Sequence, residues 1–278
     1  SNTSGGAVYL ENGSAYLNGG EISGNLAKNG NGGGICIVGG NLYMQGEAHI
    51  KNNAAFGGSG GGVYVRSTTN DVTVDLHKGT IQSNSADKYG GGLCVDMGDT
   101  INDDDSSAIN DSQGPKAMIE VGTDNIGPDI ILNHCSLKGG GLYASGTDAN
   151  ITLNAGSIKQ NTVSGYVDNP NVANEGGLVT LIGENVTDFV TVEYNNNFEY
   201  QNPGYSIERE TQKIVTYTNT KMIAPARWFE RGYYSGFTIT SWNTRPDGKG
   251  TRYENNATLK GINRNITLFA QWTPSVAN

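Results

Sequence analysis

The chain has 278 residues, of which only 16% are charged, and a formal net charge of −9. That balance argues against nucleic acid and anionic membrane surfaces as partners. No apolar run reaches the roughly 18 residues that membrane insertion needs. Glycine is about twice as frequent as usual, at 41 residues, but no Gly-X-Y period runs through the chain, so collagen is excluded.

From the amino terminus, a glycine pair or triplet repeatedly runs into a short apolar strand. The copies are Gly5-Gly6-Ala7-Val8-Tyr9-Leu10, Gly32-Gly33-Gly34-Ile35-Cys36-Ile37 and Gly60-Gly61-Gly62-Val63-Tyr64-Val65. They continue with Gly90-Gly91-Gly92-Leu93-Cys94-Val95, Gly139-Gly140-Gly141-Leu142-Tyr143-Ala144 and a weaker Gly176-Gly177-Leu178-Val179. The first glycines at 5, 32, 60, 90 and 139 give intervals of 27, 28, 30 and then 49 residues, the last stretched by an insertion. Such a period marks a solenoid.

Each unit holds two further strand-like pieces. One is Ala15-Tyr16-Leu17, Leu42-Tyr43-Met44, Val72-Thr73-Val74 and Ile151-Thr152-Leu153. The other centres on Ile22, Ile50, Ile81 and Ile158, followed three residues later by Asn25, Asn53, Asn84 and Asn161, and two later again by Ala27, Ala55, Ala86 and Val163. The fourth unit reads as a looser version, with Ile126, Asp129 and Ile131. Three short strands per unit predict one rung of a parallel β-helix, in which like residues stack in columns. The isoleucines form an interior ladder. The asparagines form a corner column, where Asn tolerates a left-handed backbone and stacked amides bond one another. The glycine triplets form a second corner, needing positive φ and close approach. Cys36 and Cys94 fall in one column two rungs apart, about 10 Å, too far for a disulfide.

The Gly-Gly-Gly-aliphatic-x-aliphatic and Ile-x-x-Asn-x-Ala motifs, over 4–182, resemble the right-handed parallel β-helix repeats of bacterial surface proteins and pectate-lyase-like proteins. That resemblance implies an all-β fold of about six rungs spanning 4–187. With a complete first rung at Gly5, the chain is expected to be part of a longer surface protein, or to have that end covered by another chain.

After about Asp188 the period stops and aromatics become common. Phe189-Val190-Thr191-Val192-Glu193-Tyr194 alternates as a strand, Pro246-Asp247-Gly248 is a turn, and Trp242 and Trp272 read as core. Arg231-Gly232-Tyr233, Trp242-Asn243-Thr244, Asp247-Gly248-Lys249-Gly250 and Leu268-Phe269-Ala270-Gln271-Trp272 resemble the Listeria–Bacteroides repeat, the B repeat of internalin-type surface proteins. This implies a small β-rich, β-grasp-like module over 188–273, of the kind that builds extracellular stalks.

The middle residue of the first strand gives a column predicted to be exposed: Tyr9, Cys36, Tyr64, Cys94 and Tyr143. Tyr9, Tyr64 and Tyr143 are candidate ligand-binding residues, because flat aromatic faces suit a sugar. The next outward column reads Glu11, Val38, Arg66, Asp96 and Ser145. Arg66 and Asp96 lie one rung apart, as an ion pair or, with Glu11, as a catalytic set. Beside Arg66 and Asp96 the column offers no second carboxylate, with Glu11 three rungs from Asp96, and no lysine or histidine, so general acid–base catalysis is short of a partner. The insertion 96–117 is acidic, and Asp103, Asp104 and Asp105 are weak candidates for a cation. Their consecutive placement does not suit an alternating ligand loop. His49, His77 and His134 occupy unlike slots, so no metal site is expected. With no P-loop or dinucleotide fingerprint, no cofactor is expected.

The sequence thus leads to an extracellular, cell-surface, non-catalytic adhesin-like or stalk protein whose β-helix face binds a host protein or a glycan. The alternative is a polysaccharide lyase or glycoside hydrolase on the same scaffold.

Overall fold

The computed structural model describes residues 3–98, 114–165, 169–184, 186–198, 206–230 and 236–274. The chain divides into two compact units, one built from residues 1–188 with 217–219, the other from 189–216 with 220–278. Both are nearly all β.

The first unit is a β-solenoid of about five turns, consistent with a parallel β-helix. Its first sheet stacks Val8–Leu10, Ile35–Ile37, Val63–Val65, Leu93–Asp96, Leu142–Ser145 and Val172–Glu175 in parallel. The second sheet carries the next strand of each rung and the isoleucine strand after it. In the first two rungs these run together as Ser14–Ser23 and Asn41–Lys51; later rungs split them, as in Val72–Leu76 and Thr80–Gln82. A third sheet stacks Leu26–Ala27, Ala54–Ala55, Ser85–Ala86, His134–Cys135 and Thr162–Val163. The small residue after each asparagine is therefore a strand of its own.

The interior follows from the period of two. Ile35, Ile37, Val63, Val65, Leu93 and Val95 point inward and are fully buried, as are the ladder residues Ile50, Ile81, Ile130 and Ile158. Each such side chain contributes roughly 1.5–3 kcal/mol by burial.

Two register expectations are corrected here. The fourth rung places Ile130, Asn133 and Cys135 in the isoleucine, asparagine and alanine columns, in place of Ile126, Asp129 and Ile131. Its second strand is Ala117–Val121, across the insertion. In the sixth copy, Val172–Glu175 lies in the first sheet and Leu178–Leu181 in the second. Gly176-Gly177 is thus the corner between them and does not correspond to the glycine triplets.

The asparagine ladder is continuous. Asn25, Asn53, Asn84 and Asn133 each donate from Nδ2 to the next ladder Oδ1 at 2.9–3.0 Å, and Asn161 donates on to Asn171 Oδ1 at 3.1 Å. The backbone N–H of each donates to the same oxygen. The second Nδ2 proton of Asn53, Asn84, Asn133 and Asn161 goes back to the isoleucine carbonyl of the preceding rung, each at 2.9 Å. A buried amide with both donors and its acceptor used costs no desolvation debt. The left-handed residue is not the ladder asparagine but the one before it: Gly24, Asn52, Ser83, Leu132 and Gln160 have φ of 66°, 55°, 54°, 57° and 57°.

The triplets divide their labour. Gly60 takes the left-handed turn at φ 69°. A Cβ on Gly61 would lie 2.5 Å from Gly91 O, and one on Gly62 2.6 Å from Gly92 O. The corner therefore closes only where no side chain stands between rungs.

The second unit holds a five-stranded sheet in the order Arg209–Val215, Phe189–Asn195, Ile266–Pro274, Phe237–Asn243, Arg252–Glu254. Phe189–Asn195 and Ile266–Pro274 are parallel neighbours, and antiparallel strands flank them. Two parallel strands thus lie at the centre of this sheet. Trp242, Trp272, Tyr194, Phe198 and Trp228 are buried in its core. Asn195, Asn196 and Asn197 are buried too; Asn197 Nδ2 donates to Pro246 O and Ala270 O, pinning the chain as it leaves the first strand. Asn243 organises the turn after its strand: its Oδ1 accepts from Arg245 N and Gly250 N, and its Nδ2 donates to Gly248 O. Asp247-Gly248-Lys249-Gly250 is thus legible as turn chemistry. Arg231-Gly232-Tyr233 lies outside the described residues.

Candidate functional site

The outward column of the first sheet is not a solvent-facing surface. Cys36, Tyr64, Cys94 and Tyr143 are 1%, 3%, 1% and 4% exposed. They form one cluster, with Val38, Tyr89 and Ala173 packed against it. The inward–outward alternation holds, but the segment before each glycine triplet folds over the outward side chains. The side chains of Ser4 and Ser59 lie beside the thiols of Cys36 and Cys94, and Tyr89 lies flat on Tyr143, ring centroids 4.4 Å apart. Tyr64 and Tyr143, expected from the sequence to be exposed, are therefore too deeply covered to stack on a sugar. Tyr9, in the first rung, remains 54% exposed.

These tyrosines instead hold carboxylates. Tyr64 Oη donates to Asp96 Oδ2 at 2.8 Å, Ser145 Oγ donates to Asp96 Oδ1 at 3.0 Å, and Arg66 Nη1 stands 3.9 Å from Asp96 Oδ2. The arrangement recurs two rungs on. Tyr143 Oη donates to Glu175 Oε2 at 2.6 Å, and Lys138 Nζ pairs with Glu175 Oε1. Burial pushes both phenols well above their ordinary range, helped by the neighbouring carboxylate. Burial works to raise the pKa of Glu175, but the bonds from Lys138 and Tyr143 outweigh it and hold the carboxyl below its usual value.

Asp96 and Glu175 flank Ser145 in one column. A carboxylate thus stands one rung beyond Ser145, where the sequence pattern predicts none. Gly176-Gly177 imitates the glycine triplets and so masks the register of the sixth copy. The spacing from Tyr143 to Glu175 equals that from Tyr64 to Asp96, 32 residues in each case, and that was the signal available. Each carboxylate is hydrogen-bonded to a tyrosine and paired with a cation. Glu11 is exposed at the first rung, separated from Arg66 by Val38 in the column, so the proposed catalytic set is not brought together.

The three cysteines are free and buried. Burial pushes the Cys36 thiol up to about 11, and Cys94 rises well above its ordinary value. A thiol kept protonated is a poor nucleophile and a poor metal ligand. The histidines are hydrogen-bonded to hydroxyls: His49 to Thr80, His77 to Thr123, His134 to Thr162 and Ser164. Among the described residues no three His, Cys, Asp or Glu side chains converge on a metal position. Asp103, Asp104 and Asp105 lie outside the described residues.

The exposed chemistry is on the outer face of the second sheet, which the sequence reading passed over. One column there runs Tyr16, Tyr43, Asp75, Glu120, Thr152, Thr180, one residue per rung. Tyr16 and Tyr43 stack with centroids 4.9 Å apart and planes 12° apart, and Tyr16 is 63% exposed. Asp75 Oδ1 is buried and accepts no hydrogen bond. Below Glu120 a depression of about 520 Å³ is lined by Thr123, Asp124, Asn125, Asn154 and Glu184 among others. Aromatic rings followed by carboxylates and hydroxyls at rung spacing suit an extended polar ligand.

Comparison with protein-family models, with curated proteins and with solved structures finds no match to the chain.

Proposed function

We propose that this protein is a non-catalytic display module of a bacterial cell surface, adhesin-like or stalk-like, that engages a glycan or a host protein through the outer face of its second sheet. The observation that carries the reading is the state of the two carboxylates. Asp96 is held by Tyr64, Ser145 and Arg66, and Glu175 by Tyr143 and Lys138. A polysaccharide lyase or glycoside hydrolase needs a carboxylate or base poised to move a proton. Here these groups brace one rung against the next.

The Tyr16–Tyr43 stack and the Asp75, Glu120, Thr152 and Thr180 column present aromatic edges and hydrogen-bonding groups along a regular line. A sugar chain offers hydroxyls and apolar ring faces to such a line. In this reading the second unit, which in sequence resembles the internalin-type B repeat, serves as a stalk element. Secretion and an extracellular location belong to the same reading.

The test is a glycan array and a polysaccharide-cleavage panel run on the protein and on Tyr43→Ala, Glu120→Gln and Tyr64→Phe. Retention that is lost in Tyr43→Ala or Glu120→Gln and kept in Tyr64→Phe, with no cleavage, supports the proposal. Cleavage of any polysaccharide that stops in Asp96→Asn or Glu175→Gln sinks it in favour of the enzyme.

A further inference from the structure

The turn that Asn243 organises forms one wall of a groove in the second unit. Thr244 and Thr251 close the mouth of that turn: Thr244 N donates to Thr251 O at 3.0 Å, and Thr251 N donates to Thr244 Oγ1 at 2.9 Å. Beside them lies a depression of about 440 Å³, which also meets Tyr253 and the segment 261–267. Small-ligand sites run from roughly 300 to 1,000 Å³. Tyr253, Ile262 and Ile266 line the groove and pack against the aromatic core, so its apolar part is continuous with that core.

The polar groups left over in the groove are donors. Thr244 Oγ1 accepts from Thr251 N, which leaves its own proton to give. The hydroxyls of Thr251, Tyr253 and Thr267 bond to no protein group among the described residues. Asn265 Oδ1 is taken by Thr191 N at 2.8 Å, which leaves the amide Nδ2. Arg264 stands among them, exposed. Among the described arginines it is the one with no acidic partner: Arg66, Arg209, Arg227, Arg245 and Arg252 each pair with a carboxylate. No Asp or Glu lines the groove.

We propose that this groove binds an acidic sugar, with its carboxylate on Arg264 and its ring against Tyr253. A carboxylate accepts hydrogen bonds and donates none, so it complements a guanidinium set among hydroxyl and amide donors. A sugar ring supplies the rest: hydroxyls for the threonines and Asn265, and an apolar face for the half-buried tyrosine. An acidic peptide fits less well. Peptides add along an open sheet edge, and the edge strand here, Arg252–Glu254, is three residues long with its two charges spent on each other at 3.0 Å. The site gives the second unit a ligand of its own, independent of what the solenoid face binds.

The test is calorimetry on the whole protein with two acidic sugars, trigalacturonic acid and sialyllactose, and their neutral counterparts, galactotriose and lactose. At least one acidic sugar should bind about tenfold or more tightly than its counterpart. Arg264→Gln should abolish that difference, Thr267→Val should weaken binding about threefold, and Glu120→Gln on the solenoid should change nothing. Bound sugar should also protect Arg264 from phenylglyoxal, read by peptide mass mapping. Binding by neither acidic sugar, equal binding by the neutral ones, or full affinity in Arg264→Gln overturns the proposal. Loss in Glu120→Gln alone places the sugar on the solenoid and overturns it too. Inorganic sulfate that binds as tightly as the sugar reduces the groove to a bare oxyanion site, and a tighter-binding oligoglutamate peptide makes it a peptide site; either result overturns it.

Discussion

Tyr64 Oη reaches across one rung to Asp96 Oδ2 at 2.8 Å, so a residue that reads as a surface aromatic is a buried strut between turns of the solenoid. Tyr64→Phe removes the hydroxyl and leaves the ring in place. Hydrogen bonds to charged groups contribute roughly 1.5–3 kcal/mol. With the carboxylate still reached by Ser145 and Arg66, the loss should fall at the low end, about 1.5 kcal/mol. Chemical denaturation of the two proteins checks this. An unchanged midpoint would show the bond to be idle.

Glu175 gives a pH dependence with a definite sign. Its carboxyl is held below the ordinary value by Lys138 and Tyr143. A depressed folded-state pKa contributes stability that is present above the unfolded value and lost as pH falls through the folded one. The stability difference between the protein and Glu175→Gln should therefore be constant near neutrality. It should shrink as pH falls below the ordinary glutamate value of 4.5. Urea melts of both at stepped pH measure it; a difference that grows on acidification would contradict the assignment.

The ladder predicts a position effect for one substitution. Asn84→Ala leaves the N–H and Nδ2 of Asn53 without their acceptor and strips Ile50 O and Asn133 Oδ1 of a donor. At about 1–3 kcal/mol for each buried group left unsatisfied, the loss should reach several kcal/mol. Asn25→Ala, in the half-exposed first rung, should cost about 1 kcal/mol. Similar losses at both sites would deny that the ladder's interior is special.

Leu132 occupies the left-handed corner slot at φ 57° and is 49% exposed, so it is strained and packs little. The left-handed backbone costs an L-residue roughly 1–2 kcal/mol, part of which glycine returns through a more disordered unfolded chain. Leu132→Gly should raise stability by about 0.5–1 kcal/mol. Gly24 already fills this slot in the first rung. Thermal melts decide the sign.

The thiols offer a fast check on the packing. Cys36, Cys94 and Cys135 are buried, and burial raises all three thiol pKa values. Reaction with a disulfide reagent at pH 8 should be slow in the native protein and complete on unfolding. Rapid native labelling at any of the three would mean that its cover opens.

The solenoid was legible because a stacked column repeats its residue type: Ile50 and Ile81, or Asn53 and Asn84, are neighbours for a physical reason that leaves a period in the sequence. Ile130 and Asn133 obeyed the same rule and were missed because the insertion before Ala117 broke the spacing. Glu175 was missed because Gly176-Gly177 imitates a triplet while serving another corner. The wetness of a face was the least legible property. Alternation puts Tyr64 and Tyr43 both outward, and only the fold shows that the segment ahead of the glycines covers the first and leaves the second half-buried. The rule of two assigns a side of the strand; what lies on that side is a tertiary matter.

At the corner between the first and second sheets the chain passes through residues 38–40 in the second rung, 66–71 in the third and 146–148 in the fifth, and in the fourth it leaves the first sheet at Asp96 and enters the second at Ala117. The strands on either side keep their register whatever the span: Asp96 still faces Ser145, and Ala117 still faces Ala149. Loop closure adds only about 0.6 kcal/mol per doubling of length. That corner is therefore a place where the sequence is free to lengthen, shorten and change while the scaffold stays fixed. An inherited variant or a grafted epitope would meet the least resistance there.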